Sequence, residues 1–429
     1  MFGIFIGLAL LMFLAYRGLS IIWAAPICAM VVALTGGLEL LPAYTDSYMT
    51  GFVGFAKSWF PVFMLGAIFG KLMDESGAAK AVAHAVVKLI GAKYAILAVV
   101  LACAVLTYGG ISLFVVVFAI YPLAVALFRE ANITRKLIPG AIALGSFTFT
   151  MTAMPGSPQI QNLIPMKYFG TTPTAAPIMG IVGAIIMLVG GMLWLTYREK
   201  KYTAAGELYV EIEGKNKLET NGEETLPNAW LSAVPLIAVV VFLNLFKLNI
   251  ITALLIGIVL AIALNFKRLP KIVQTINGGA SGSVLAIINT SAAVGFGAVV
   301  RAVPGFQTLT DMVLGIKGHP LISEAVAVNI LAGATGSASG GMGIALEALG
   351  EKFVEISMQT GVPLEAFHRI ASLSSGGLDT LPHNGAVLTL LAVTLMTHKD
   401  SYKDIFMVAT LIPIVSVIAG ILLATMGIM

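Results

Sequence analysis

Apolar runs of roughly span length follow one another along most of the chain, and the polar residues between them are few and clustered. Runs at 1–16, 20–38 and 52–73 predict three membrane spans, the first short against the roughly 20 residues a bilayer requires, with Arg17 at the turn between the first two. Between 78 and 91 the pattern changes: Lys80, His84 and Lys88 recur at every fourth position against a face of Ala, Val, Leu and Ile. That stripe predicts an amphipathic helix lying in the interface, with His84 solvated. Residues 94–128 form two apolar arms split by the uncharged sequence T-Y-G-G-I-S at 107–112, which predicts a re-entrant hairpin with its tip at membrane depth. A plain span is predicted at 174–197.

Two further runs carry residues that a lipid-facing helix avoids. At 374–385, S-S-G-G-L-D-T-L-P-H-N-G combines glycines, a proline, an acid and a histidine; 227 positions earlier, at 147–158, stands F-T-F-T-M-T-A-M-P-G-S-P. Each predicts a helix broken at membrane depth, over 367–396 and 135–166. Broken backbone survives there only when protein or a polar cavity surrounds it, and paired breaks at corresponding places mark transporters.

The same offset organises the rest. Spans are predicted at 229–246, 249–265, 280–301 and 405–427, an interfacial segment at 305–318 and a second hairpin at 320–352, with Gly109, Ser112 and Pro155 answered by Gly336, Ser339 and Pro382. The expected fold class is therefore an all-α polytopic membrane protein of two repeats, 1–197 and 229–429, each with five spans, one re-entrant hairpin and one broken helix. An odd number of crossings per repeat makes the second enter from the opposite side, so the repeats are inverted. The polar stretch 198–228 reads as a solvated cytoplasmic linker. Placing it inside, with the 1-to-2 loop, the first interfacial helix and the loops 265–271 and 398–404, and counting Lys71, Lys93, Arg129, Arg135 and Lys136 on the same side, puts 18 Lys or Arg in the cytoplasm. Seven remain outside, at Lys57, Lys167, Lys247, Arg301, Lys317, Lys352 and Arg369, so both termini are expected on the external side of the cell (inner) membrane.

Composition agrees: of 429 residues 58% are hydrophobic and 11% charged, against about 25% charged in soluble domains. A net charge of +4 reflects loop placement and gives no reason to expect nucleic acid as a partner; the lipid bilayer is the expected surroundings. Cys28 and Cys103 lie in apolar segments and read as packing residues, and no cofactor or metal site is expected. The apolar start, without a basic lead or a cleavage site, reads as a retained first span.

The strings F-T-F-T-M-T-A-M-P-G-S-P-Q-I-Q-N at 147–162 and S-G-G-L-D-T-L-P-H-N-G-A-V at 375–387 resemble those of the gluconate permease (GntP) family, within the wider ion transporter superfamily. The resemblance spans nearly the whole chain. It implies secondary uptake of gluconate or related small hydroxylated carboxylates, usually with protons. It further implies a homodimer with a static scaffold and a moving transport domain built from the hairpins and broken helices.

The chemistry also follows from the residues. Half-helix N-termini at membrane depth carry partial positive charge and free N–H groups, so a carboxylate can be held without a lysine or arginine. The candidate substrate-binding residues are Gly109, Gly110 and Ser112 at the first tip, Thr150, Thr152, Gly156 and Ser157 at the first break, Ser337, Ser339, Gly340 and Gly341 at the second tip, and Thr380, His383 and Asn384 at the second break. The plainer reading is that glycine and serine at this depth let helices pack closely. Thr148, Thr150 and Thr152 cannot share one helical face, so at least one is expected to bond backbone. Asp379 and His383 are the candidates for the coupling proton; four residues apart, they are also spaced to neutralise each other on a helix. Sodium is the competing coupling ion, because unwound carbonyls with Ser, Thr and Asn also suit it. Glu347 is a lesser candidate, and Arg301 reads as structural.

Two rival classes are weaker. An intramembrane protease fits poorly, because G-G-L-D at 376–379 has Leu where glycine should precede the acid and no second membrane aspartate is available. A channel also uses helix breaks but cannot concentrate its substrate. The expectation is a transporter of ten spans moving a small organic monocarboxylate by an elevator-like alternating-access shift, with 3-hydroxybutyrate or lactate open beside gluconate.

Overall fold

The structure, a computed structural model, describes residues 2–211, 226–308, 315 and 318–429. It is helical throughout, with no strand among the described residues. In the first half α1 (Phe2–Tyr16), α2 (Ile21–Thr35) and α3 (Leu40–Glu75) lead to the short α4 (Ala78–Ile90). Then come the hairpin α5 (Ala95–Tyr108) and α6 (Leu113–Glu130), the interrupted pair α7 (Ile138–Ser146) and α8 (Ile160–Phe169), and α9 (Pro177–Ala204). The second half runs through the same succession without a described counterpart of α4: α10 (Ala229–Asn244), α11 (Ile250–Asn265), α12 (Ile272–Ala302), the hairpin α13 (Pro320–Thr335) and α14 (Ala338–Thr360), the pair α15 (Leu364–Ser375) and α16 (Gly385–Thr394), and α17 (His398–Thr425). Residues 309–314, 316 and 317 of the expected second interfacial segment, and 212–225 of the central linker, lie outside the described residues.

Among the described residues six helices are long and apolar enough to cross a membrane: α3, α6, α9, α11 with its following turn, α12 and α17. The 18-residue α6, expected as a hairpin arm, is among them. Large apolar side chains stand fully outward on these helices, including Leu193, Val259 and Ile418, which suits a lipid surround and not water. The stretch Ala92–Tyr108 turns by 98° from α4, whose Ala78, Ala79, Val82 and Ala83 are buried while His84 and Lys88 face out. Glycines at Gly77 (φ +75°) and Gly91 (φ +82°) make the two corners, at angles that L side chains rarely adopt.

The long helices α3 and α12, one from each half, cross at backbone contact. A Cβ on Gly279 would lie 2.7 Å from Ile68 Cα, and one on Gly51 would lie 2.6 Å from Ala298 Cβ. Lipid tails give helices no hydrophobic reason to associate, so close approach through small residues supplies the dispersion energy. The Tyr48 hydroxyl donates to the Ala292 carbonyl at 3.1 Å, and α1 and α2 pack on this crossing.

On the other side α9 and α17 are locked by a buried ion pair. Arg198 Nε donates to Asp404 Oδ1 at 2.7 Å, Trp194 donates to the same oxygen at 2.9 Å, and Arg198 also donates to the Tyr202 hydroxyl at 2.6 Å. The polar run beginning at Arg198 thus starts inside α9, and α9 continues to Ala204. Asp404 is fully buried, so removing its charge strands a guanidinium in a place of low dielectric. Asp404→Ala is expected to cost about 3 kcal/mol and lower the unfolding temperature in detergent by several degrees. An unchanged transition would show that the pair does not hold α9 to α17.

Candidate functional site

Both interruptions are made by residues that cannot continue a helix. In the first, α7 ends at Ser146, a wide π turn covers Phe149–Ala153, and Pro155 and Pro158 delay the return of helix to Ile160. In the second, Gly376 and Gly377 follow α15, a single 3-10 turn covers Leu378–Thr380, and Pro382 precedes α16. Proline lacks the N–H that the helix ladder needs, and every carbonyl freed at such a place requires another donor.

Hydrogen bonds run both ways between the breaks and the neighbouring hairpin tips. At the first break the Tyr108 hydroxyl donates to the Pro155 carbonyl at 2.9 Å, and the Gln159 amide reaches across to the Thr107 carbonyl at 2.7 Å. At the second, the Asn384 amide donates to the carbonyls of Gly336 at 3.0 Å and Asp379 at 2.9 Å, while its oxygen caps α16 by accepting from Val387 N at 2.8 Å. Gly336 turns the second tip at φ +59°, and a Cβ there would strike the His383 ring at 2.7 Å. The breaks also meet each other: Ser372 donates to the Thr152 carbonyl at 2.7 Å, and Gly376 passes so close that a Cβ would lie 2.9 Å from Thr152 Cγ2. Tip, break, break and tip therefore form one connected unit, although no hydrogen bond joins tip to tip among the described residues.

A fully buried guanidinium anchors this unit. Arg369, on α15, donates from Nε and Nη2 to the Ala175 carbonyl at 3.0 and 2.7 Å. Its Nη1 donates to Ala153 O at 3.2 Å and Asn162 Oδ1 at 3.0 Å, and Nη2 also reaches Pro173 O at 3.3 Å. An arginine offers five N–H groups, and this set occupies all of them. Arg369 therefore ties the end of the π turn to the 173–175 loop, its charge set against carbonyl dipoles; receiving an anion would require it to release this clamp. Beside it His368 is hydrogen-bonded to Thr171 Oγ1 at 2.6 Å and Asn162 Oδ1 at 3.3 Å.

The side chains expected to bind substrate fall into two sets. Thr148, Thr150, Thr152 and Ser157 all donate to backbone carbonyls of the first break or of α7, so not one but all three threonines bond backbone. Thr380 is engaged with Ala409 O and Thr410 Oγ1, and Ser337 Oγ caps α14 by accepting from Gly340 N. Gly341 packs into the hairpin with the position of its absent Cβ 2.1 Å from Ala332 N, and Gly109 and Gly110 pack on Leu236 and Pro158. Gly156, at φ +77°, donates its N–H to Pro173 O. The second set keeps a free side-chain atom: the hydroxyls of the half-buried Ser112 and Ser339 make no hydrogen bond among the described residues, and His383 Nε2 and Asp379 Oδ1 have no partner there, although His383 also bonds the Gly333 backbone and Asp379 that of its own turn. The N-termini of α6 and α8 also lack a side-chain cap, which leaves N–H groups at the first tip and break.

The Asp379–His383 pairing that their spacing allowed is not formed. The chain leaves the 3-10 turn for extended backbone at Leu381, so the two side chains no longer share a helical face. Glu347 accepts from the Tyr168 hydroxyl at 3.0 Å, and Arg301 bonds Glu347 O and Glu351 at the exposed end of α12. Sequence reasoning left Arg369 among the external loop charges and passed over His368, Asn162 and Glu324. The available signal was the rule that ionisable residues inside an apolar run need an explanation, which applies equally to F-H-R-I-A at 367–371 and to I-S-E-A-V at 322–326.

The model of the GntP family permeases matches residues 1–249, from α1 through α10. A Bacillus subtilis protein, "Uncharacterized transporter YxjC", is 45% identical over 460 aligned positions that cover 97% of each chain. The chain belongs to the GntP permease family. A second relative, an "Uncharacterized permease" of Haemophilus influenzae, is 28% identical over 250 positions, 56% of this chain and 50% of its own. Membership makes this GntP permease a membrane transporter and not an enzyme, which removes the protease reading.

For the permease, Arg369→Lys keeps a charge but supplies three donors where five are used, and is expected to destabilise by about 2–4 kcal/mol. Thermal unfolding in detergent measures this, and a transition equal to the native one would mean that the clamp is not structural. Gly341→Ala forces backbone apart within hairpin α13–α14 and is expected to cost at least about 3 kcal/mol. Limited proteolysis at the tip would reveal the opening, and an unaltered cleavage pattern would contradict it.

Proposed function

We propose that this permease takes up gluconate or a related small hydroxylated monocarboxylate together with protons, by secondary active transport. The observation that supports this most is the division of the site into committed and uncommitted groups. The free groups are N–H ends of half-helices and two serine hydroxyls, able to donate to a carboxylate, and the His383 Nε2, which donates once the ring is protonated. The committed threonines and Ser157 have spent their protons on backbone and keep lone pairs, which suit the hydroxyl donors of a polyol acid. An apolar or purely anionic substrate would leave those lone pairs unmatched.

In this reading His383 meets substrate or proton and Asp379 sets its charge. The tip-and-break unit with α9 and α17 moves against a scaffold of α1–α3 and α10–α12 in an elevator-like shift, within a homodimer. The repeats are inverted, the protein lies in the inner membrane, and both termini face outward, as the loop charges favour.

Uptake of labelled gluconate and 3-hydroxybutyrate into proteoliposomes, under an imposed pH gradient and separately under a sodium gradient, tests the proposal. Gluconate should accumulate with the pH gradient, and Asp379→Asn or His383→Gln should lower that accumulation by about tenfold or more, the worth of one hydrogen bond to a charged group. Accumulation driven by sodium alone would replace the coupling ion. Movement of neither acid would overturn the substrate class.

A further inference from the structure

The second hairpin carries a carboxyl group that the tip-and-break unit does not use. Glu324 lies on α13 one turn in from its start, is fully buried, and has no hydrogen-bond partner for either oxygen among the described residues. The elements packed against α13 are α14, α15, the 3-10 turn of the second break, α1 and the second part of α17. The last two bring no charged side chain over Phe2–Tyr16 and Ile412–Thr425.

Every charged group on the others is placed elsewhere. Arg369 spends all its donors on Ala153, Asn162, Pro173 and Ala175, and His368 is bound to Thr171 and Asn162. Glu347 accepts from Tyr168, Glu351 pairs with Arg301, and Lys352 pairs with Glu355. Glu365 is exposed at the start of α15, and Asp379 bonds the backbone of its own turn. Among the described residues nothing pairs a carboxylate at Glu324, which would be a bare ion in the protein interior, a state proteins avoid by neutralisation or by admitting water.

We propose that Glu324 is a proton-binding site of the second hairpin. The packed hairpin holds the neutral acid, and loss of the proton to water requires α13 to part from its neighbours so that the carboxylate is hydrated. The movement would reach the substrate unit directly, because Asn329, also on α13, accepts from Leu378 N at 3.3 Å, and Gly333 packs on Leu378. Its place in a transport cycle rests on the proton-coupled reading above; the site itself does not.

Hydrogen–deuterium exchange of the full-length protein in detergent, at about pH 5.5 and about pH 8.5 and corrected for intrinsic amide rates, tests it without a substrate. Native α13 amides should exchange at least about tenfold faster at the higher pH. Glu324→Gln, a neutral isostere, should hold them equally slow at both, and Glu365→Gln should behave as native. Native protein without this difference, or Glu324→Gln retaining it, overturns the proposal. Proteoliposome uptake run in parallel separates the two ideas: exchange as expected with uptake driven only by sodium supports the site and overturns the proton symport, whereas pH-driven uptake without the exchange pattern overturns Glu324 alone.

Discussion

Backbone hydrogen bonding in a medium without water governs this fold. A helix that stops inside a bilayer frees N–H and C=O groups that cost several kcal/mol each unless protein satisfies them. This chain interrupts two helices, and many of the buried polar side chains near the interruptions are spent on the consequences, while Ser374 Oγ, Asp379 Oδ1 and His383 Nε2 stay without a partner among the described residues. Arg369, Asn162, Gln159, Tyr108, Ser372 and Asn384 all donate to carbonyls of the breaks, the tips or the adjoining loop. The breaks bind each hairpin tip because the tip supplies, or receives, the hydrogen bonds that the broken helix lost.

That constraint explains how a binding region can exist without a free cationic side chain. Arg369, the guanidinium at the centre, is saturated by oxygen acceptors, so in the proposed function the attraction for an anion is assigned to the uncapped starts of α6 and α8 and to Ser112, Ser339 and His383. It also explains the glycines. Gly376 lets one break pass the other and Gly341 lets the arms of the second hairpin touch, and at both a methyl group would meet atoms closer than carbon atoms approach.

Much of this was legible in the chain. Periodicity and the 227-residue offset located the helices, because apolar length and charge depletion are direct imprints of a bilayer. Pro155, Pro158, Gly376, Gly377 and Pro382 announced the breaks by their own chemistry. Less legible was which hydroxyls remain available, since Thr150 and Ser112 look alike until the backbone around them is known. The roles of Arg369 and Glu324 were hidden for a different reason. Both sit near helix starts, where sequence cannot tell a snorkelling charge from one folded inward, and only the packing of α13 and α15 decides it.

The most direct test is an experimental structure determined with saturating gluconate. The account predicts the carboxylate at the N–H groups and Ser112 or Ser339 of a hairpin tip, beside His383, with the sugar hydroxyls turned toward the threonines of the first break. Gluconate bound away from both breaks, or held by Arg369 with its clamp on Ala153 and Ala175 released, would contradict it.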